Sequence, residues 1–255
     1  MIGRIEGYLM DRIKEDTAIQ LSLLDPMTTS MKDCPRIARD AEEAGSSGIM
    51  VGGSTVGDAE HLTGFVSAIK ENASLPVILF PNNVAGLTKR ADAVWFMSLL
   101  NSRNPYYITG AQMLGAFTVE RYGLEAIPMG YIIIGEGGGS RIIGDANSIP
   151  YDKPEVAAAY ALAASYLGMR FIYLESGSGV GEPAPPDFIS IVRRAVPNRV
   201  LIVGGGIRDG EKAFMAVEAG ADIVVTGTLA EDSSVGVRGT SDVVEAVRRG
   251  GDSRR

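Results

Sequence analysis

The stretch RVLIVGGGIRDGEKAFMAVEAGADIVVTGT, Arg199 to Thr228, decides the fold. Its apolar run Val200–Val203 is continuous rather than alternating, which is how a strand covered on both faces reads. Three glycines, Gly204 to Gly206, and an Arg-Asp-Gly turn follow. Apolar residues then recur at helical spacing, at Ala213, Phe214 and Val217, and the pattern stops at Gly220. A second apolar run, Ile223–Val225, ends on Thr226, Gly227 and Thr228. Strand, helix and strand in this order form a βαβ unit, in which the two strands are parallel.

The same alternation extends back along the chain. Candidate strands are AIQLSLLD (Ala18–Asp25), SGIMVGG (Ser47–Gly53), LPVILFP (Leu75–Pro81), DAVWFMSLL (Asp92–Leu100), IPMGYIII (Ile127–Ile134) and MRFIYLES (Met169–Ser176). With RVLIVGGG (Arg199–Gly206) and ADIVVTGT (Ala221–Thr228) they make eight. Helical patterns lie between them. PRIARDAEEAG opens on Pro35 and stops at Gly45, and SDVVEAVRRGG offers Ser241 as an N-cap. The third unit is the weak one, because NNVAGLTKRA (Asn82–Ala91) is a poor helix. Eight strand–helix units predict an α/β fold, a (β/α)8 TIM barrel of one domain over residues 1–255. A doubly wound sheet is the alternative.

Composition narrows the function. The 255 residues carry 24 Lys and Arg against 31 Asp and Glu, a net charge of −7, which argues against a nucleic-acid partner. The single cysteine, Cys34, excludes an internal disulfide and fits a reducing compartment. The single histidine, His61, excludes a His-rich metal site; it lies in a helical pattern and reads as a packing residue, as do Trp95 and Phe96 in or near the fourth strand. The N-terminal MIGRIEGYLMDRIKED mixes charge into every turn and is no signal peptide. The most apolar helix-like stretch, Val156–Met169, is 14 residues long, short of the roughly 20 needed to cross a bilayer. It reads as a core-facing helix, and the expected location is the cytoplasm.

In such a barrel, chemistry sits where strands end. Those ends here are rich in Gly, Ser, Asn and Asp. Gly204–Gly206 after the seventh strand and Thr226–Gly227–Thr228 after the eighth are placed to hold a phosphate, through backbone N–H groups and through the helix dipoles behind them. The competing reading is two tight corners with no ligand. Glu175 ends the sixth strand and points to the same face, where it can accept a proton from a substrate hydroxyl or serve as an ion-pair partner. Gly177, Ser178 and Gly179 add donors. Asp25 at the end of the first strand and Ser54 after the second are on neighbouring units and suit Mg²⁺, although an Asp before Pro26 is also a common turn former.

These residues carry a family resemblance. LLDP, VGGST, GDANSIPYDKPEVAAAYALAASYLGM, YLESGSG and the Val203–Thr228 run resemble the geranylgeranylglyceryl phosphate synthase family, which includes bacterial heptaprenylglyceryl phosphate synthases. The long ESGSG loop is more similar to the archaeal enzymes. The resemblance runs from Ala18 to Arg249 and implies a barrel modified by loss of its third helix. It implies a prenyltransferase that moves a geranylgeranyl group from geranylgeranyl diphosphate to the C3 hydroxyl of sn-glycerol 1-phosphate, the first ether-bond step of archaeal membrane lipid synthesis. The acceptor is expected against Tyr173, Leu174, Glu175, Ser176, Gly177, Ser178 and Gly179, with Gly204, Gly205, Thr226 and Gly227. Glu175 is the expected catalytic residue, and Mg²⁺ the cofactor at Asp25 and Ser54. A homo-oligomer, a dimer or hexamer, and transient proximity to a membrane are also expected. Met27 and Thr28 stand where the family often has an acidic residue and a lysine, with Lys32 as a substitute cation, and Tyr151 stands where an arginine is expected. Competing readings are a thiamine-phosphate-synthase-like or flavin-dependent barrel, and a non-catalytic binder of phosphorylated metabolites.

Overall fold

A computed structural model of the chain describes residues 2–53, 58–227 and 236–254. Helix α1 (Arg4–Asp16) precedes eight strands: β1 (Ile19–Leu24), β2 (Ile49–Val51), β3 (Val77–Leu79), β4 (Ala93–Leu99), β5 (Glu125–Ile133), β6 (Phe171–Glu175), β7 (Val200–Gly204) and β8 (Ile223–Thr226). Each is parallel to the next, and β8 pairs back onto β1, so the sheet closes into a barrel. Each of the eight apolar runs matches one strand, β5 alone starting ahead of its run, at Glu125, and the doubly wound alternative falls away.

The strands are wrapped by α2 (Cys34–Glu43), α3 (Ala59–Lys70), α4 (Ala111–Tyr122), α5 (Gly138–Ile143), α6 (Pro154–Tyr166), α7 (Pro186–Ala195), α8 (Gly210–Glu218) and α9 (Gly236–Asp252). Between β3 and β4 there is only a 3-10 turn, Val84–Gly86. The third helix is absent, as the sequence implies. Asn83 caps that turn, its side chain accepting the Ala85 N–H at 2.8 Å, and the chain becomes extended at Leu87, directly after Gly86.

Strand alternation sorts the core into an inside and two outer layers. Ile127, Met129 and Tyr131 of β5, Phe171 and Tyr173 of β6 and Ile202 of β7 fill the barrel. Ile132, Ile172, Leu174, Leu201 and Val203 face outward onto α6 to α9. A third cluster joins the outer faces of β2 to β4 with α2 and α3. Trp95 and Phe171 meet edge-on in the lower barrel, ring centroids 5.1 Å apart, so Trp95 packs as expected.

Helix α1 closes the floor by burying Ile5 and Leu9. Its first turn is capped from across the chain, because the Glu125 carboxylate accepts the N–H groups of Ile5 and Glu6, each at 2.7 Å. Glu6, 1% exposed, is paired with the Arg170 guanidinium, one N–O distance being 2.6 Å.

One local reading changes. Ser241 lies inside α9 rather than capping it, because the helix begins at Gly236. Helix α6 faces the core with Ala157, Ala161 and Ala164, Ala158 and Tyr160 packing beside them, and leaves Val156, Tyr166 and Leu167 exposed. No described helix is long and apolar enough to cross a membrane.

Removing Arg170 leaves the Glu6 carboxylate buried without its partner. Arg170→Ala should lower unfolding free energy by about 3 kcal/mol in chemical denaturation, whereas Arg4→Ala, an exposed partner of Asp92, should cost under about 1 kcal/mol.

Candidate active site

A cavity of about 440 Å³ opens at the C-terminal ends of the strands. Its deep wall is an aromatic and carboxylate cluster. Tyr131 of β5 and Tyr173 of β6 are paired in register, and both project inward, with ring centroids 5.3 Å apart. Phe80, just past β3, stacks on Tyr173 at 5.6 Å and meets Tyr131 edge-on at 5.4 Å. Gly204 makes room for this arrangement, since a Cβ there would run into the Tyr173 hydroxyl.

Glu175 sits two residues beyond Tyr173 on the same face and is 5% exposed. Its Oε1 accepts the Gly177 N–H at 2.7 Å, and the Tyr131 and Tyr173 hydroxyls also donate to it. Burial pushes the carboxyl above its ordinary range, opposed by the Gly177 N–H and then by the two tyrosines. Burial, followed by the negative charge of Glu175, keeps both tyrosine hydroxyls well above theirs, so they remain proton donors. No Lys or Arg stands within ion-pair distance of Glu175 among the described residues, so the ion-pair reading of this carboxylate does not hold. Three donors also leave one lone-pair site on the carboxylate open to a further proton donor.

The glycine-rich loops form the right-hand wall. Gly205 and Gly206 follow β7 with φ of +84° and +75°, and with Thr226, Gly227, Ser178 and Gly179 they line the cavity. The reason Gly205 must be glycine is internal. A Cβ there would lie 2.6 Å from the Gly177 nitrogen and 2.8 Å from Glu175 Oε1. Gly227, in contrast, leaves ordinary space, with Leu23 O 3.5 Å from a built Cβ. The Thr226 hydroxyl is turned away from the cavity and accepts Gln20 Nε2 at 2.8 Å, in a buried network that includes Ser22 and Ser46.

Other expected contacts separate by strand parity. Leu174 packs outward against the α6–α7 layer, and Ser176 does not line the cavity. The Gly177 N–H is committed to Glu175. At the first turn of α8 one N–H is taken by the helix's own N-cap, since Asp209 Oδ1 accepts Lys212 N at 2.8 Å. Lys32 is exposed away from the cavity, and Tyr151 lies against Phe188 with its hydroxyl on Glu182 O at 3.4 Å. In the GDAN run Gly144 lines the cavity, and Asn101 ties the Asn147 carbonyl to β5.

Asp25 is on the opposite wall. Its Oδ1 accepts Met27 N at 2.9 Å, and Oδ2 occupies the room that a side chain on Gly53 would take. Half-buried His61 holds the turn behind it, Nε2 to Pro26 O at 2.9 Å. Thr28, Asn82 and Asn83 line the cavity beside Asp25. Hard oxygen donors without thiol or imidazole suit Mg²⁺, which keeps most of its waters. Ser54 lies outside the described residues. No group of three or more His, Cys, Asp or Glu stands together among the described residues.

The cavity does not end at the barrel mouth. It continues between Leu87 and Val84 on one side and Ala111, Gly115 and Val119 of α4 on the other, over Val94 and Phe96. Val94 and Phe96 alternate with the inward Trp95, so this branch runs along the outer face of β4, in the place of the missing third helix. Sequence reading missed Tyr131, which carries no local motif, and Arg208, which lines the cavity mouth and donates to Gly179 O at 2.9 Å.

Fold and site define a (β/α)8-barrel enzyme whose mouth joins a carboxylate and glycine-rich loops to an apolar branch. The sequence matches the PcrB family over residues 10–248. It is 52% identical over 252 residues to the geranylgeranylglyceryl phosphate synthase of Thermofilum pendens, covering 98% of this chain and 97% of that one. The Thermococcus gammatolerans synthase is 54% identical over 230 residues, 90% of each chain. The crystal structure of (S)-3-O-geranylgeranylglyceryl phosphate synthase from Thermoplasma acidophilum, in complex with sn-glycerol-1-phosphate, superposes with a TM-score of 0.92 at 38% identity, over 98% of this chain and 100% of that one. The chain belongs to the PcrB family, among its geranylgeranylglyceryl phosphate synthases. A thiamine phosphate pyrophosphorylase from Pyrococcus furiosus, TM-score 0.59 at 13% identity, shares the fold alone.

The two glycines should separate in denaturation experiments. Gly205→Ala should lose about 1–3 kcal/mol of stability from its positive φ and the approach to Gly177, while Gly227→Ala should stay within about 0.5 kcal/mol of wild type.

Proposed function

We propose that this cavity transfers a geranylgeranyl group from geranylgeranyl diphosphate to the C3 hydroxyl of sn-glycerol 1-phosphate. The observation that carries the reading is the shape of the site: a polar chamber at the barrel mouth, continuous with an apolar branch where a helix is missing. A phosphorylated triol fits the first and a polyprenyl chain the second. The relatives' names support the acceptor and the group transferred: they are geranylgeranylglyceryl phosphate synthases, one of them in complex with sn-glycerol-1-phosphate.

The residues divide the work. The acceptor phosphate lies against the Gly205–Gly206 and Thr226–Gly227 loops, where backbone N–H groups meet it. That places the glycerol hydroxyls toward Glu175. Val84, Leu87, Gly115, Val119 and Phe96 hold the prenyl chain and keep water from the allylic carbon as the C–O bond to diphosphate loosens. Asp25, with Ser54 expected beside it, would hold Mg²⁺, which when bound offsets the charge of the leaving diphosphate. As the acceptor hydroxyl oxygen bonds to C1 of the chain, Glu175 takes its proton. Tyr131, Tyr173 and the Gly177 N–H fix the carboxylate for that transfer, and the ordered site acts mainly by positioning.

Glu175→Gln tests the base. With labelled sn-glycerol 1-phosphate and geranylgeranyl diphosphate at saturation, kcat should fall by roughly 10²- to 10⁴-fold with acceptor KM little changed. Wild-type kcat should fall on the acid side with an apparent pKa above the ordinary carboxylate range, and the variant should lack that limb. Because the folded-state pKa is raised, wild type is relatively most stable below the unfolded carboxyl pKa. It loses that advantage as pH rises through the raised value. At neutral pH the variant should therefore melt no lower than wild type. An unchanged kcat would remove Glu175 from the chemistry.

Asp25→Asn tests the metal wall. It should shift the Mg²⁺ concentration for half-maximal turnover upward by roughly 10-fold or more, with the melting temperature nearly unchanged. Full activity across the Mg²⁺ titration would remove Asp25 as a ligand.

A further inference from the structure

The charges around the cavity leave a gap in the account of anion recognition. Two carboxylates, Asp25 and Glu175, line it, and the chain as a whole is at −7. A phosphate dianion enters this field unfavourably unless a cation meets it. The helix behind the seventh strand begins with a carboxylate of its own, the N-cap Asp209, whose Oδ1 takes the Lys212 N–H. Lys32 does not line the cavity, and Lys212 is turned back onto Gly181 O at 3.1 Å and Glu182 at 3.4 Å.

Arg208 is the one Lys or Arg among the described residues that line the cavity. It follows Gly205, Gly206 and Ile207, and its exposed side chain crosses to the loop after β6, where Nη2 donates to Gly179 O at 2.9 Å. No carboxylate stands within ion-pair distance of it among the described residues. The guanidinium has five N–H groups, and this bond uses one, so donors and charge remain available at the rim between the two glycine-rich walls. Asp25 is on the other wall, so the diphosphate end of the donor and the acceptor phosphate are held at separate places.

We infer that Arg208 is the side chain that recognises the phosphate of the acceptor. It supplies the cationic partner that the backbone loops lack, and by bonding Gly179 O it holds the Ser178–Gly179 segment against the bound anion. It thereby selects a phosphorylated triol over the free triol. The assignment rests on the proposed reaction for the identity of its ligand, and its test uses binding so that the two are separable.

The experiment is calorimetric titration of wild type, Arg208→Lys and Arg208→Gln with sn-glycerol 1-phosphate at two salt concentrations, and separately with geranylgeranyl diphosphate. Loss of a charge-assisted contact should weaken acceptor binding by about 10- to 100-fold in Arg208→Gln, with partial recovery in Arg208→Lys. Wild-type affinity should fall with added salt, and Arg208→Gln should show a flatter dependence. Donor affinity should move by less than about threefold. A role confined to pinning the loop would lower the melting temperature and leave the salt dependence as in wild type, which overturns the inference. So would an acceptor affinity unchanged in Arg208→Gln, or a donor affinity weakened equally. Turnover by wild type is scored apart from this: its absence removes the proposed reaction, while the titrations still decide Arg208.

Discussion

The rest of the site depends on one constraint, the burial of the Glu175 carboxylate among donors that carry no charge. A closed barrel leaves only inward positions at the top of β6, and parity assigns them to Tyr173 and Glu175. An ionised carboxylate at that depth is tolerated because the Gly177 N–H and the Tyr131 and Tyr173 hydroxyls each donate to it. With a cation there it would be a structural ion pair with a lowered pKa. Without one it stays basic, and one lone-pair site remains for a substrate. Gly204 and Gly205 are glycine because this cluster fills the space a side chain would need.

The missing third helix is the second half of the design. In a complete barrel the outer faces of β3 and β4 are covered, and Val94 and Phe96 would be helix contacts. Here they line an apolar passage that α4 borders with Gly115. The NNVAG segment, standing where a helix would, leaves open an apolar passage that is continuous with the carboxylate chamber.

Much of this was legible in the sequence. Continuous apolar runs placed all eight strands, and the poor periodicity of Asn82–Ala91 gave the absent helix. Strand ends supplied Asp25, Glu175, Gly205 and Gly227. What could not be read depends on distance in sequence or on side-chain direction. Tyr131 is 44 residues from Glu175 and becomes its partner only through β5–β6 register. Leu174 and Ser176 lie in the YLESGSG motif but do not line the cavity, because parity turns Leu174 outward. Ser241 looked like a cap because its neighbours are periodic, yet α9 begins at Gly236. Arg208 was visible as a letter in the glycine loop, but its relation to Gly179 is set by two loops meeting at the barrel rim.

The central claim is that one continuous cavity joins a phosphorylated acceptor to a prenyl chain. Its most direct measurement is mass spectrometry of the products from purified protein, labelled sn-glycerol 1-phosphate and geranylgeranyl diphosphate with Mg²⁺. The account predicts a geranylgeranyl ether at the C3 oxygen with one diphosphate released per product. Release of diphosphate with free prenyl alcohol and no label in the ether, or no consumption of either substrate, would contradict it.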